Sequence, residues 1–271
     1  MKKRIILMCV IAGFLLISAV VAARIVTQRL AVKAVKSSDY DKLEKICSMP
    51  IKNLDGIVIC DFLGAIIEER GLDTPLEVAC KNRDPEAIKI LLKHGADPNY
   101  VRPFDANGHR LLETAIIYGD LEMVKLLVES GADVRESSLQ GVDILIRYGA
   151  REKITLNDFK NLYSYLNENG ACINDADLID AVGLGADREV LQWLITEKGM
   201  SINSQNKKGQ TFLHLCCLSG LAKTDKKEAF ILYCIDSDAD LNIKDANGKT
   251  AYDYAIEKEG ETFAETVLRN S

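Results

Sequence analysis

The feature that most constrains this 271-residue chain is a phrase that ends an apolar run twice, in "LLKHGADPN" (Leu91–Asn99) and in "LLVESGADVR" (Leu126–Arg135). Gly95 and Gly131 stand 36 positions apart. A Gly after a helically spaced apolar run is a helix stop, because a left-handed residue closing the last turn needs no Cβ. Aligned backwards from that Gly, "TPLEVACKNRDPEAIKILLKHGADPN" (Thr74–Asn99) matches "RLLETAIIYGDLEMVKLLVESGADVR" (Arg110–Arg135) position for position. Each copy reads as a short apolar helix, a polar break, a second helix with apolar residues three and four apart, and a stop. Self-similarity at such a period is the mark of stacked repeats, none of which buries its apolar side alone.

The same pattern recurs in weaker form. "TFLHLCCLSG" (Thr211–Gly220) restarts it and "DSDADLN" (Asp236–Asn242) closes it. "ADLIDAVGLGADREVLQWLITEKGMSIN" (Ala176–Asn203) fits with a short insertion, and "NDFKNLYSYLNENGACIN" (Asn157–Asn174) supplies a second helix after "GVDILIRYGA". "NGKTAYDYAIEKEG" gives a terminal first helix, and "AVKAVKSSDYDKLEKIC" (Ala31–Cys47) a worn opening unit. The stops Gly95, Gly131, Gly170, Gly199 and Asp238 are spaced 36, 39, 29 and 39 apart. These spacings scatter around the period of about 33 residues known for one such family.

These residues resemble the ankyrin repeat, whose pattern runs G-x-T-P-L-H-x-A-A, a second helix with I-V-x-x-L-L, then G-A-D-x-N. The resemblance implies an all-α fold: a solenoid of stacked helix pairs joined by hairpin loops, preceded by an N-terminal hydrophobic helix. Its units fall at about 31–50, 71–104, 105–136, 137–175, 176–206, 207–245 and 246–271, within a domain of residues 25–271. The segment "DGIVICDFLGAIIEE" (Asp55–Glu69) reads as an extra helix between the first two units. Small residues at Ala79, Ala115, Ala181, Cys216 and Ala255 are expected at the seam between neighbouring first helices. Leu91, Leu92, Leu126, Leu127, Trp193 and Leu194 fill the layer behind.

Before the repeats comes "MKKRIILMCVIAGFLLISAVVAAR", in which Lys2, Lys3 and Arg4 precede nineteen uncharged residues, Ile5 to Ala23. As a helix that run reaches roughly 28 Å, near the hydrocarbon thickness of about 30 Å. Residues 1–24 therefore read as a signal peptide or as a retained signal anchor. The length favours the anchor, and the small residues of "SAVVAA" (Ser18–Ala23) favour cleavage. The positive-inside rule keeps the start cytoplasmic and puts the repeats beyond the membrane, although Arg29, Lys33 and Lys36 on the far flank oppose it.

With 40 acidic residues against 34 basic ones the net charge is −6, and without the three leading basic residues it is −9. That balance repels phosphate backbones, and no basic stripe interleaved with aromatics appears, so nucleic acid is not an expected partner. Seven cysteines follow Cys9 without paired spacing, and they read as small core residues. Repeat logic absorbs the histidines: His94 fills the slot before a stop, and His214 is the H of T-P-L-H, tying backbone together. "DSDADLNIKDANG" lacks the closing Glu of a calcium loop and is explained by turn chemistry. No phosphate loop and no nucleophile with its base is visible, so catalysis, cofactor and metal are not expected.

What the resemblance implies instead is protein binding through the hairpins and the exposed ends of the first helices. On this sequence the hairpin positions are Tyr100, Arg102, Phe104, Asn107 and His109; Arg135; Gln205, Asn206 and Lys208; and Lys244, Asn247 and Lys249. The first-helix positions are Lys81, Asn82, Ile117, Tyr118, Arg147 and Tyr148. Tyr100, Arg102, Phe104, Tyr118, Arg147 and Tyr148 have the composition of an interface hot spot. Ankyrin proteins with bacterial-type secretion leaders include periplasmic inhibitors of delivered toxins. The expectation is thus a monomeric, non-catalytic module in the periplasm or on the inner membrane, blocking a toxin or other effector enzyme. The alternative is an anchored scaffold that inhibits nothing.

Overall fold

The computed structural model describes residues 2–50, 52, 54–55, 73–101, 110–135, 142, 155–171, 173–185, 187–219 and 225–268; for 2–11, 14, 17, 185, 225–226 and 266–268 it describes backbone only. Every regular element among the described residues is a helix. They are α1 (Lys2–Lys36), α2 (Tyr40–Cys47), α3 (Pro75–Lys81), α4 (Pro85–Lys93), α5 (Leu111–Ile117), α6 (Leu121–Glu129), α7 (Leu156–Glu168), α8 (Asp175–Gly185), α9 (Arg188–Thr196), α10 (Phe212–Leu218), α11 (Asp225–Asp236), α12 (Ala251–Glu259) and α13 (Glu261–Leu268). The helix expected within Asp55–Glu69 lies almost wholly outside the described residues.

Two compact units divide the chain: Met1–Ala115 with Glu122–Asp133, and Ile116–Leu121 with Val134–Ser271. In the first, α1 packs on α3 and α2 on α4, so first helices form one layer and second helices another. In the second, α8, α10 and α12 make the layer of first helices, and α9, α11 and α13 lie behind them. The terminal repeat is therefore a full pair: a second helix follows Gly260, where the sequence pattern yields only the first.

Local chemistry sets the boundaries. Thr74, Thr211 and Thr250 begin first helices with reciprocal side-chain and backbone hydrogen bonds, completed by Glu77, His214 and Asp253 respectively. Asp39, Asp84 and Asp187 begin second helices by accepting from the N–H three residues on. The five expected stops all have left-handed backbone: Gly95, Gly131, Gly170 and Gly199 at φ of 88°, 94°, 92° and 71°, and Asp238 at 60°. At all five the next N–H returns to the last turn, as in Ala96 to the Leu91 carbonyl at 3.0 Å, Met200 to that of Leu194 at 3.0 Å and Ala239 to that of Cys234 at 3.0 Å.

The seam residues Ala79, Ala115, Ala181, Cys216 and Ala255 are buried as expected. Leu91, Leu127, Trp193 and Leu194 are buried behind them, while Leu92 and Leu126 are half-buried. Cys47, Cys80, Cys216, Cys217 and Cys234 are buried. Burial pushes Cys47 up to about 11 and Cys217 up to about 12, which keeps both protonated and inert.

α1 does not end with the leader. It runs unbroken from Lys2 to Lys36, and its last three turns, through Thr27, Gln28, Ala31, Ala34 and Val35, are buried as the first helix of the opening repeat. Among the described residues no helix is long and apolar enough to cross a membrane. That finding does not reach the side chains of residues 2–11, 14 and 17.

Candidate protein-binding surface

The loops that follow the stops share one hydrogen-bonding scheme. The side chain at the Asp position accepts from the backbone two residues on, in Asp97 to Asn99 at 2.8 Å, Ser201 to Asn203 at 3.2 Å and Asp240 to Asn242 at 2.9 Å. The Asn then reaches the next repeat. Asn99 donates to the Gly131 carbonyl at 2.8 Å and accepts from the Asp133 N–H at 2.7 Å. Asn203 does the same 35 to 37 residues on, with the Asp238 carbonyl at 3.4 Å and the Asp240 N–H at 2.8 Å. The recurrent phrase is therefore a stop, a local loop brace and a tie to the next layer.

In the second unit the hairpins are braced from within. Asp245 is buried, and its carboxylate accepts from the Tyr254 hydroxyl at 2.7 Å, from the N–H groups of Asn247 at 2.8 Å and Lys249 at 3.1 Å, and from Gln210 Nε2 at 3.3 Å. Burial pulls this carboxyl upward, but those donors outweigh it and hold it down at about 2. His214 contacts Thr211 through Nδ1 at 2.9 Å, while its Nε2 lies 3.2 Å from the Lys249 carbonyl. Its expected role as a backbone tie thus extends across two repeats. The Lys208 carbonyl accepts from the Ala246 N–H at 2.9 Å, stacking one hairpin on the next.

This bracing decides which candidate side chains a partner could meet. Gln205, Lys208 and Lys244 are exposed, and so is Lys207, a hairpin residue that the repeat pattern does not single out. Asn247 is exposed, with its amide turned to Asp245 and Tyr254. Lys249 is half-buried, 5.2 Å from the Tyr254 ring and paired with Glu257, which holds its ammonium above the usual lysine range. Asn206 departs from expectation: it is buried, donating to Asp180 Oδ1 at 2.5 Å and accepting from the N–H groups of Lys208 and Gln210 at 2.9 Å. Its amide is consumed in shaping the hairpin and offers no surface for docking. Ile117 and Tyr118 are half-buried, and Arg135 is exposed.

In the first unit Lys81 and Asn82 are exposed at the end of α3, with Lys81 paired to Asp73 at 2.7 Å, and Tyr100 is half-buried. Arg102, Phe104, Asn107, His109, Arg147 and Tyr148 lie outside the described residues, so the proposed aromatic and arginine cluster is represented by Tyr100 and Tyr118 alone. His94 packs its Nε2 at 2.9 Å from Glu44, which also meets Lys93 at 2.8 Å. The Lys93 hydrogen bond, then that of His94, lowers the Glu44 carboxyl.

Comparison with known proteins agrees with this geometry. A family model described as "Ankyrin repeats (3 copies)" matches residues 51–138 and 178–271, well over half of the chain. The Notch-regulated ankyrin repeat-containing protein of Xenopus laevis is 33% identical over 81 residues, 29% of this chain and 71% of that protein. An ankyrin repeat protein of Fowlpox virus, FPV115, is 29% identical over 133 residues, 49% of this chain and 22% of its own. The chain spans about a quarter of the length of several curated relatives. Among solved structures, the human ASB11 ankyrin repeat domain superposes with a TM-score of 0.60 at 19% identity, covering 89% of this chain and 97% of that one. Ankyrin repeats serve as protein-binding modules, and this chain belongs to the ankyrin-repeat family.

Proposed function

We propose that the chain is a non-catalytic inhibitor that acts outside the cytoplasm and occupies an enzyme of delivered-toxin type through its hairpins. The observation that carries the binding mode is the row of exposed Gln205, Lys207, Lys208 and Lys244 on hairpins whose backbones are locked by Asn206, Asp245 and His214. A rigid display loses little entropy on docking. Those lysines on an otherwise acidic chain suit a partner with an acidic rim. The extracytoplasmic setting rests on Lys2, Lys3 and Arg4 ahead of the apolar run. The test is capture from the native host by the full chain carrying a C-terminal tag, followed by assay of the captured protein. A single enzyme silenced at one-to-one stoichiometry supports the reading, and a captured enzyme that stays fully active defeats it. An anchored scaffold is the second reading, favoured by the continuity of α1 with the first repeat.

A further inference from the structure

We infer that the leader is retained as a membrane span and that it passes without a joint into the first repeat, so that the repeats hang from the bilayer on one rigid helix. The inference rests on the extracytoplasmic reading for its direction and on α1 itself for the rest.

α1 shows two environments along its length. Leu15, Leu16 and Val26 are 63%, 68% and 53% exposed, Ser18, Ala19, Ala22 and Arg24 are exposed as well, and Val20, Val21, Ala23 and Ile25 are half-buried, so none of the described side chains between Leu15 and Val26 is buried. Burial begins at Thr27 and Gln28, where α1 meets α2 and α3, and Gln28 Nε2 donates to the Asp55 carbonyl at 3.1 Å. A mostly apolar helical stretch with none of its described side chains buried belongs in lipid, where its backbone is already satisfied. The first buried residue, Thr27, falls three residues after Arg24, the first charge after the uncharged run. Arg29 follows on an exposed position of the same helix, about 7.5 Å beyond Arg24 and within reach of lipid headgroups.

The same continuity argues against cleavage. A protease takes its substrate extended, and the small residues that would suit it, Ser18 to Ala23, lie inside the helix, with the Ser18 hydroxyl donating to the Leu15 carbonyl at 2.9 Å. From Phe14 to Lys36 the sequence holds neither Gly nor Pro to open that helix. Just beyond, the Thr27 hydroxyl donates to the Arg24 carbonyl at 2.9 Å, fastening the last free turn to the packed part.

The experiment is expression of the full chain, with its own leader and a C-terminal tag, in a Gram-negative host. The readouts are intact mass, carbonate extraction of membranes, and protease access from the periplasmic side. Expected are a mass that includes residues 1–24, a carbonate-resistant pellet, and repeats digested from the periplasm. A product beginning near Arg24 and released in soluble form overturns retention while sparing the extracytoplasmic reading. A full-length product recovered from the cytosol overturns both. An intact, carbonate-resistant protein with protected repeats supports the span and overturns only its direction. Inserting Gly-Gly-Ser between Val26 and Thr27 supplies a joint; an intact chain then digests at the insert under native conditions, and equal digestion of the parent at that point would refute the jointless helix.

Discussion

Gly183 on α8 and Leu215 on α10 stand so close that a methyl group on the glycine would lie 2.6 Å from the Leu215 Cβ and 3.0 Å from the Phe212 carbonyl. Gly183 has no left-handed backbone to justify it, and in a helix interior Ala would be favoured by about 1 kcal/mol. Contact between neighbouring first helices therefore decides the residue. Gly183→Ala should lower stability by about 1 to 3 kcal/mol in spite of the propensity gain, since an overpacked seam must shift backbone or force rotamers. Urea denaturation measures it, and an unchanged or raised midpoint would show that the seam yields.

The second seam carries charge. Lys227, with no exposed side-chain surface, donates to Glu259 at 3.0 Å and to the Ser219 carbonyl at 3.3 Å, joining α11 to the end of α12. Removing one member leaves the other desolvated without its counter-charge, a loss of about 3 to 5 kcal/mol. Replacing both with apolar residues avoids that penalty. Glu259→Leu alone should thus destabilise more than Lys227→Met combined with Glu259→Leu. If the double variant is the weaker, the pair contributes net stability and the expectation fails.

How much of this was legible beforehand follows from what each residue's partner is. Stops and caps are local events, so Gly95, Gly131 and even Asp238, a non-glycine held at φ 60°, stood out from spacing alone. Lys227 and Gly183 were illegible because their reasons lie some 32 residues away, in Glu259 and Leu215. Asn206 failed in an instructive way: it occupies a hairpin slot of the kind that faces partners, but its short amide folds inward to Asp180. The second terminal helix was missed because Glu261–Leu268 has no stop phrase after it from which to align backwards.

Asp245 makes the second unit acid-sensitive in a defined window. Its carboxyl is held at about 2 in the fold, against about 3.9 in an unfolded chain. A lowered folded value means that the stabilisation is fully present above about pH 4 and disappears as pH falls towards 2. At neutral pH, Asp245→Ala strands the Tyr254 hydroxyl and Gln210 and should cost about 2 kcal/mol. The gap between parent and variant, followed by thermal melting, should narrow from pH 4 downward. A gap that stays constant to pH 2 would mean the braces do not depend on the charge.

Lys208 and Lys244 separate docking from folding. Both side chains are exposed, and the hydrogen bonds that shape their hairpins run through the Lys208 backbone and through Asp245. Reversing both charges should therefore leave the melting midpoint almost unmoved, as for ordinary surface substitutions. Binding should respond differently. Rim charges act chiefly on association rate, so Lys208→Glu with Lys244→Glu should slow capture of an acidic-rimmed enzyme by about tenfold or more at low salt, and less as salt screens the field. Asp245→Ala supplies the contrast, because it loosens the hairpin and loses stability together with affinity. Stopped-flow binding at two salt concentrations distinguishes these behaviours. An association rate within twofold of the parent at low salt would place the docking surface away from these hairpins, on the ends of the first helices.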